Sequence, residues 1–291
     1  MESQNRGVTI PVPWIRIESF AYWFLFAATF LGVAIWESFR PKRDLSVPTE
    51  RRWGRHGTLM MICSVISVGL YRVSPVFMAV SFAGSRFGLL NKPWLPFAGR
   101  CALTVLVLDL VKYTTHRAYH SVPFLWRVHQ VHHSDPDFDV STAVRVHPIE
   151  VILNQGAYFA AIAIFAPPVI AVLVAELASC VQSFFGHANA SLPGWAEKPL
   201  RSMIVTPDMH RIHHSEEVGE QYRNLGDIFP WWDRLFRTYL AAPAAGQDGM
   251  IPGLKGFQNE ASLGVAFMLR QPFLPEPQGG DLPDVRVAAA R

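Results

Sequence analysis

Between His147 and His187 the chain reads PIEVILNQGAYFAAIAIFAPPVIAVLVAELASCVQSFFG, a nearly unbroken apolar stretch with Pro167-Pro168 at its middle. A proline pair inside a helix removes backbone hydrogen bonds and clashes with the preceding turn. The stretch therefore divides into two arms of about 17 residues, each roughly 26 Å long as helix, close to the thickness of a bilayer's hydrocarbon core. Two such arms enter and leave a membrane by one face and bring His147 and His187 to the same side. We expect a helical hairpin over 149–186. The alternative, one long kinked span, puts the two histidines on opposite sides.

The flanking sequence has the same character. The 291-residue chain is 50% hydrophobic and only 17% charged, and its mean hydropathy is positive, which a water-soluble globule seldom shows. Further apolar runs lie near Ser19–Trp36, Thr58–Ala83 and Phe97–Tyr113, near or above the roughly 17–25 residues that cross a bilayer as helix. The first is too long for a signal-peptide core, lacks a basic run ahead of it and is followed by Glu37, so it reads as an uncleaved anchor. Cys63, Cys101 and Cys180 are odd in number and sit in apolar runs, which points to packing residues and away from a disulfide framework.

A net charge of +3 is too small to indicate nucleic acid. The basic residues gather beside apolar runs. Arg40, Lys42, Arg43, Arg51, Arg52 and Arg55 form a dense loop after the first run, which the positive-inside rule assigns to the cytoplasm. The third run then delivers its C-terminal end to that side. Arg72, within the second run, is costly at mid-bilayer unless it snorkels or faces protein. The expected fold is thus all-α, a multi-pass membrane bundle of four to five embedded helices with a cytoplasmic helical cap. One membrane-embedded unit is expected over 1–240. An extension over 241–270 follows, with the apolar segment Leu263–Leu274 lying either in the membrane interface or in a small core. The Pro-, Gly- and Ala-rich residues 271–291 read as a disordered tail.

Ten of the eleven histidines lie between His116 and His214. Residues three and four apart share a helical face, so His116/His120, His129/His132/His133 and His210/His213/His214 each aim their imidazoles one way. Neutral imidazole is a ligand for first-row transition metals, and ten exceed what one ion of four to six coordination positions can use. Two ions are the natural count. Spacing alone leaves the metal open, since zinc also accepts imidazole. His56, in the basic loop, reads as an exposed residue outside the site.

Written out, the first block is Asp109-Leu-Val-Lys-Tyr-Thr-Thr-His116-Arg-Ala-Tyr-His120, then His129-Gln-Val-His132-His133-Ser, then Arg145-Val-His147-Pro148; the second is His187-Ala-Asn189 and Thr206-Pro-Asp-Met-His210-Arg-Ile-His213-His214-Ser. From about Asp109 to Tyr239 these motifs closely resemble the fatty acid hydroxylase superfamily, also called the sterol desaturase family, of integral membrane di-metal oxygenases. The resemblance implies two non-heme iron ions with O2 as co-substrate, and a ligand role for His116, His120, His129, His132, His133, His210, His213 and His214, extended to His147 and His187. The sequence departs from the family's usual pattern at Arg237, where glycine is usual in W-D-R-L-F-G-T-Y, and at Asn224-Leu-Gly226.

Metal-bound histidines commonly donate their second ring nitrogen to a carboxylate or carbonyl. Asp109, two turns before His116, is the candidate for that supporting role, against the alternative of a helix-boundary acid paired with Lys112 or Arg117. Asp135, Asp137, Asp139, Glu150 and Asp208 are further candidates for that role, and Asn189 for a metal contact, direct or through water, although a solvated loop charge or helix cap is the simpler reading for the acids and a cap or turn for Asn189. The chain has no flavin or nicotinamide fingerprint, no heme-attachment motif and too few cysteines for an iron–sulfur cluster. A separate electron donor is required: a ferredoxin, a cytochrome or a reductase.

The function expected is O2-dependent hydroxylation of a lipid C–H bond, on an acyl chain, a sterol or a related apolar molecule. Desaturation at the same site, a zinc-dependent membrane hydrolase, a metal transporter and a structural metal protein are the competing readings. The C-terminal composition and the lack of an ER-retrieval tail lean towards a bacterial inner membrane.

Overall fold

The computed structural model describes residues 12–275, apart from 86 and 93. In chain order the α-helices are α1 (Val12–Phe39), α2 (Thr49–Tyr71), α3 (Pro75–Phe82), α4 (Phe97–Ser121), α5 (Pro123–His133), α6 (Pro148–Phe165), α7 (Val169–Gly186), α8 (Gly194–Leu200), α9 (Pro207–His213), α10 (Val218–Gln221), α11 (Trp231–Leu235), α12 (Gly246–Gly249) and α13 (Val265–Arg270), with 3₁₀ turns at Val140–Val144, Glu260–Leu263 and Gln271–Phe273. No strand occurs among the described residues.

Four stretches are long and apolar enough to cross a membrane: Pro13–Phe39, Thr49–Phe82, Pro148–Phe165 and Val169–Gly186. Their outer faces carry bare apolar side chains, with Phe20 75% and Val68 71% exposed, a surface suited to hydrocarbon and not to water. α4 has the length but is not among the four, because Arg100, Asp109, Lys112 and Arg117 interrupt it. It packs instead against α5, α6 and α7.

The break at Pro167-Pro168 turns the chain between α6 and α7, with Ala166 in the left-handed region at φ 43°. The arms do not lie flush. α3 and α4 each contact both arms, and Ala79, Leu108, Phe159, Ile162, Val172 and Ala175 form the apolar core among them. At the turn Gly88 fits closely against Ala166, where any Cβ would lie 2.3 Å from the alanine Cβ.

The second apolar run is one helix broken into two. Arg72 ends α2 in the left-handed conformation at φ 54°, and the Ser74 hydroxyl caps α3 by accepting from Phe77 N. α2 also begins earlier than the charge pattern suggests. Arg51, Arg52, Arg55 and His56 are helical, and His56 is fully buried, not exposed on a loop. Its Nδ1 lies 2.8 Å from Ser141 Oγ and its Nε2 3.3 Å from an Arg145 nitrogen. The reason is a partner set distant in sequence. The Arg52 guanidinium bonds the carboxylates of Asp135 (2.9 Å through Nη2) and Asp139 (3.1 Å), and a buried charge so paired is tolerated where a lone one is not.

The C-terminal ends of α1, α4 and α7 and the N-terminal ends of α2 and α6 converge on one end of the bundle, where α5 and the helices after α7 form a cap. Glu37, at the end of α1, joins α1 to the cap by accepting from Val140 N (2.8 Å) and Asn189 N (2.6 Å). The C-terminal segment is docked. Met268 of α13 is buried with Leu59, Cys63 and Val131, which makes it part of a small core, and Arg127 binds the carbonyls of Pro272 and Leu274. Of the tail expected over 271–291, residues 271–273 form a 3₁₀ turn with Gln271 buried, and 276–291 lie outside the described residues.

Candidate metal centre

Nine imidazoles meet where the bundle joins its cap. The last two turns of α4 supply His116 and His120, one face of α5 supplies His129, His132 and His133, the residue ending α7 is His187, and α9 with its cap supplies His210, His213 and His214. They fall into two groups whose ring nitrogens lie within 4.8 Å of one another, His116/His120/His129/His133/His213 and His132/His187/His210/His214. The groups adjoin through His133 and His214, whose rings stack at 4.5 Å.

The second ring nitrogens show how the imidazoles are aimed. The Nδ1 of His116 donates to Leu225 O (2.9 Å), that of His213 to Arg223 O (3.0 Å), that of His132 to Arg145 O (3.3 Å) and that of His187 to Ser183 O (2.7 Å). A carbonyl only accepts, so each of these Nδ1 atoms carries the proton and leaves the Nε2 lone pair free. His129 Nδ1 lies 2.9 Å from a carboxylate oxygen of Glu150, the same arrangement with an anionic acceptor. In the first group the Nε2 atoms of His116, His120, His129, His133 and His213 are all buried without a hydrogen-bond partner. Five orphaned nitrogens turned to one point are costly unless something fills it, and a cation is what five lone pairs fit. In the second group His187 Nε2 lies 3.1 Å from the Nε2 of both His132 and His210.

Loss of water pushes His116 down to about 3, aided by the nearby His129 and opposed by the bond to Leu225. It also pushes His187 down to about 4, against the bond to Ser183. Burial, followed by repulsion between neighbouring rings, holds His120, His132, His133, His210, His213 and His214 well below the ordinary imidazole range. These eight rings are therefore neutral near pH 7, the state in which imidazole binds metal.

The tenth expected ligand lies elsewhere. His147 Nδ1 accepts from Ile149 N at 3.1 Å and its Nε2 donates to Leu269 O at 3.2 Å, so it caps α6 ahead of Pro148 and joins neither group. Asp109 does not touch a histidine and is not paired with Lys112 or Arg117. Its carboxylate accepts from Ile228 N (2.8 Å), Phe229 N (3.3 Å) and Trp232 Nε1 (2.7 Å), while Asp233 accepts from Leu225 N and Gly226 N at 2.8 and 2.9 Å. The two acids fix the loop whose Leu225 carbonyl holds His116. Gly226 is required there, because a Cβ would come within 2.8 Å of Phe229 O. Asn224 and Arg237 take φ 53° and 61°. The arginine thus occupies a backbone conformation that suits glycine, at the position where the sequence departs from the family pattern.

Asp135, Asp137 and Asp139 are buried rather than solvated. Asp137 accepts from Ser46 N and Val47 N, and Asp208 pairs with Arg211 at 2.6 Å. Asn189 bonds the backbone of Arg43 and reaches neither group. Sequence reasoning preferred a loop charge or cap for Glu150, which instead backs His129, and did not single out Arg145. The signal for Glu150 was present: an acid one turn into an apolar run is expensive without a partner. A cavity of about 480 Å³ runs from His116, His129, His132, His187 and His210 into the bundle between α4, α6 and α7.

A bundle of apolar helices ending in nine buried, inward-turned imidazoles has two groups of side chains that could each hold a metal ion. Residues 101–238, just under half of the chain, match the fatty acid hydroxylase family and form a fatty acid hydroxylase domain. The chain is 29% identical to human alkylglycerol monooxygenase over 156 residues, 53% of this chain and 34% of that protein. It is 34% identical to the Caenorhabditis elegans alkylglycerol monooxygenase over 134 residues, 46% and 25% of the two chains. Ornithine lipid hydroxylase of Rhizobium tropici is 25% identical over 178 residues, 61% and 51%. The matched region thus spans from a quarter to about half of these relatives' lengths. No solved structure matches the chain. With four apolar helices and such relatives, this is an integral membrane protein.

Proposed function

We propose that this protein is a membrane-bound di-iron oxygenase that hydroxylates a C–H bond of a lipid, using O2 and electrons from a separate donor. The observation that carries the reading is the set of buried imidazoles in two adjacent groups, five of them presenting an Nε2 with no partner. His116, His120, His129, His133 and His213 would hold one iron, and His132, His187, His210 and His214 the other. When bound, the irons supply the oxygen activation that cleavage of an unactivated C–H bond requires.

The chain's own contribution is placement. The carbonyls of Leu225, Arg223, Arg145 and Ser183 and the carboxylate of Glu150 keep the protons on Nδ1 and the rings in register. The cap closes the histidines off from water, and the cavity lets an apolar chain lie against the inner face of both groups, a near-attack arrangement that converts an encounter into an oriented step. The overall reaction consumes R–H, O2, two electrons and two protons and yields R–OH and water. The basic segment Arg40–Arg55 beside this end favours a cytoplasmic position for the site, within reach of a soluble or peripheral electron donor.

The test is lipid mass spectrometry of cells expressing wild type or the His132→Ala/His213→Ala double variant under ¹⁸O₂. One labelled oxygen in a lipid of wild-type cells only is the expected result. Loss of two hydrogens without label would reassign the site to desaturation. Identical lipids in both, with the electron donor supplied, would remove the oxygenase reading.

A further inference from the structure

We propose that the cavity takes an apolar molecule bearing a hydroxyl group, bound by Tyr158 and Glu176 at the end remote from the histidines. The inference rests on the oxygenase reading for what happens at the other end, but the binding claim stands on its own geometry. Tyr158 and Glu176 both line the cavity, on α6 and α7 respectively, and are within electrostatic reach of each other. Tyr158 is 8% exposed, and its hydroxyl and the Oε2 of Glu176 are buried polar atoms without partners.

The remaining unpartnered lining atoms, Glu150 Oε2 and the Nε2 atoms of His116 and His129, lie at the histidine end, and the polar groups between are paired. Lys112 bonds Ser179 and lies 3.4 Å from Asp227, Ser179 Oγ donates to Asp227 at 2.6 Å, and Tyr119 donates to Asn154 at 3.0 Å. Glu18 is within electrostatic reach of Glu176 and is itself occupied, accepting from Ser74 Oγ and from Val76 N at 3.1 Å. Glu176 Oε2 is thus left without a protein partner.

A phenol offers a donor and a carboxyl oxygen an acceptor. One alcohol satisfies both, accepting from Tyr158 and donating to Glu176, whereas a bare hydrocarbon satisfies neither and leaves two buried groups unmet. Position adds a length. Tyr158 lies eight residues along α6 from Glu150, the partner of His129, or about 12 Å, and Glu176 lies eleven residues before His187 on α7, or about 16 Å. The hydroxyl and the carbon presented to the histidines are thus separated by roughly the length of a medium-chain alkyl group or a sterol skeleton. The same two residues would select which carbon reaches the metal centre.

The experiment is a binding measurement on metal-loaded full-length protein in detergent, by thermal shift and competition, with 1-tetradecanol, its methyl ether and tetradecane as probes. The alcohol is expected to bind about tenfold or more tightly than the alkane, with the ether between them because it accepts but cannot donate. Tyr158→Phe and Glu176→Gln should each remove most of that preference while metal content stays at the wild-type value. Equal affinity for alcohol and alkane, no binding of the alcohol, or wild-type preference in both variants would overturn the proposal. Each comparison within wild type holds even if a variant fails to fold. Product formation reports separately: alcohol binding with no O2-dependent oxidation in the presence of reductant would refute the oxygenase reading and leave the hydroxyl site standing.

Discussion

The two histidine groups share α5 and α9, with α4 completing the first and the end of α7 the second, and they are held differently. In the first, five rings leave five unpartnered Nε2 atoms, and one ring, His129, is backed by the anionic Glu150. In the second, four rings are backed by neutral carbonyls where a partner is present, and His187 Nε2 lies 3.1 Å from both His132 and His210. A carboxylate raises the basicity of the imidazole it orients more than an amide carbonyl does. On the di-metal proposal, the first group is the one expected to hold its ion more tightly. Three rings of the second, His132, His187 and His210, line the cavity, against His116 and His129 of the first.

The largest expected effect comes from removing one ring from each group. His213→Ala and His132→Ala should each reduce product to background, because the reaction requires both sites; appreciable product from either variant in the lipid assay would break the two-site account.

Acid should act on both groups next. A buried imidazole with a depressed pKa binds fewer protons folded than unfolded, so the stability it contributes is complete above about 6.5. It is lost progressively as the pH falls towards the folded value, about 4 for His187 and about 3 for His116. Metal content titrated from pH 7 down to 4 should therefore fall with the melting temperature as the rings take up protons. Full metal content and an unchanged melting temperature at pH 4 would contradict this.

Glu150→Gln sharpens the same contrast. It keeps the shape but removes the charge behind His129, and should weaken metal binding in the first group about 10–100-fold while leaving the second unchanged, as read by competition with a chelator. Equal weakening of both would mean that Glu150 acts through the fold. The smallest effect belongs to His147→Ala. Loss of the α6 cap should cost about 0.5–2 kcal/mol of stability, seen as a lowered melting temperature with full metal content. Loss of one metal ion in that variant would restore His147 to the ligand set.

Much of this arrangement was legible in the sequence because it depends on local pattern. The apolar runs, the break at Pro167-Pro168 and the helical spacing of the histidines require no knowledge of distant contacts, and the nine rings that meet were among the ten expected. What was not legible depends on pairings across the chain. The segment from Thr49 to His56 resembles a charged loop until Asp135 and Asp139, more than 80 residues away, neutralise Arg52 inside the fold. His147 and His187 flank the hairpin alike, yet only the latter turns into the cluster. A histidine ahead of Pro148 at a helix start serves equally well as a cap, and spacing alone does not separate the two roles. Asp109 was recognised as an expensive acid, but its partners are backbone amides of a loop almost 120 residues further on.

Two groups of histidines are proposed to hold two metal ions. The most direct test is the metal count per chain, by elemental mass spectrometry after purification from iron-supplemented cells, for wild type, His120→Ala and His210→Ala. The account predicts two irons in wild type and about one in each variant, the survivor lying in the group left intact. One iron or none in wild type, or two in either variant, would contradict it.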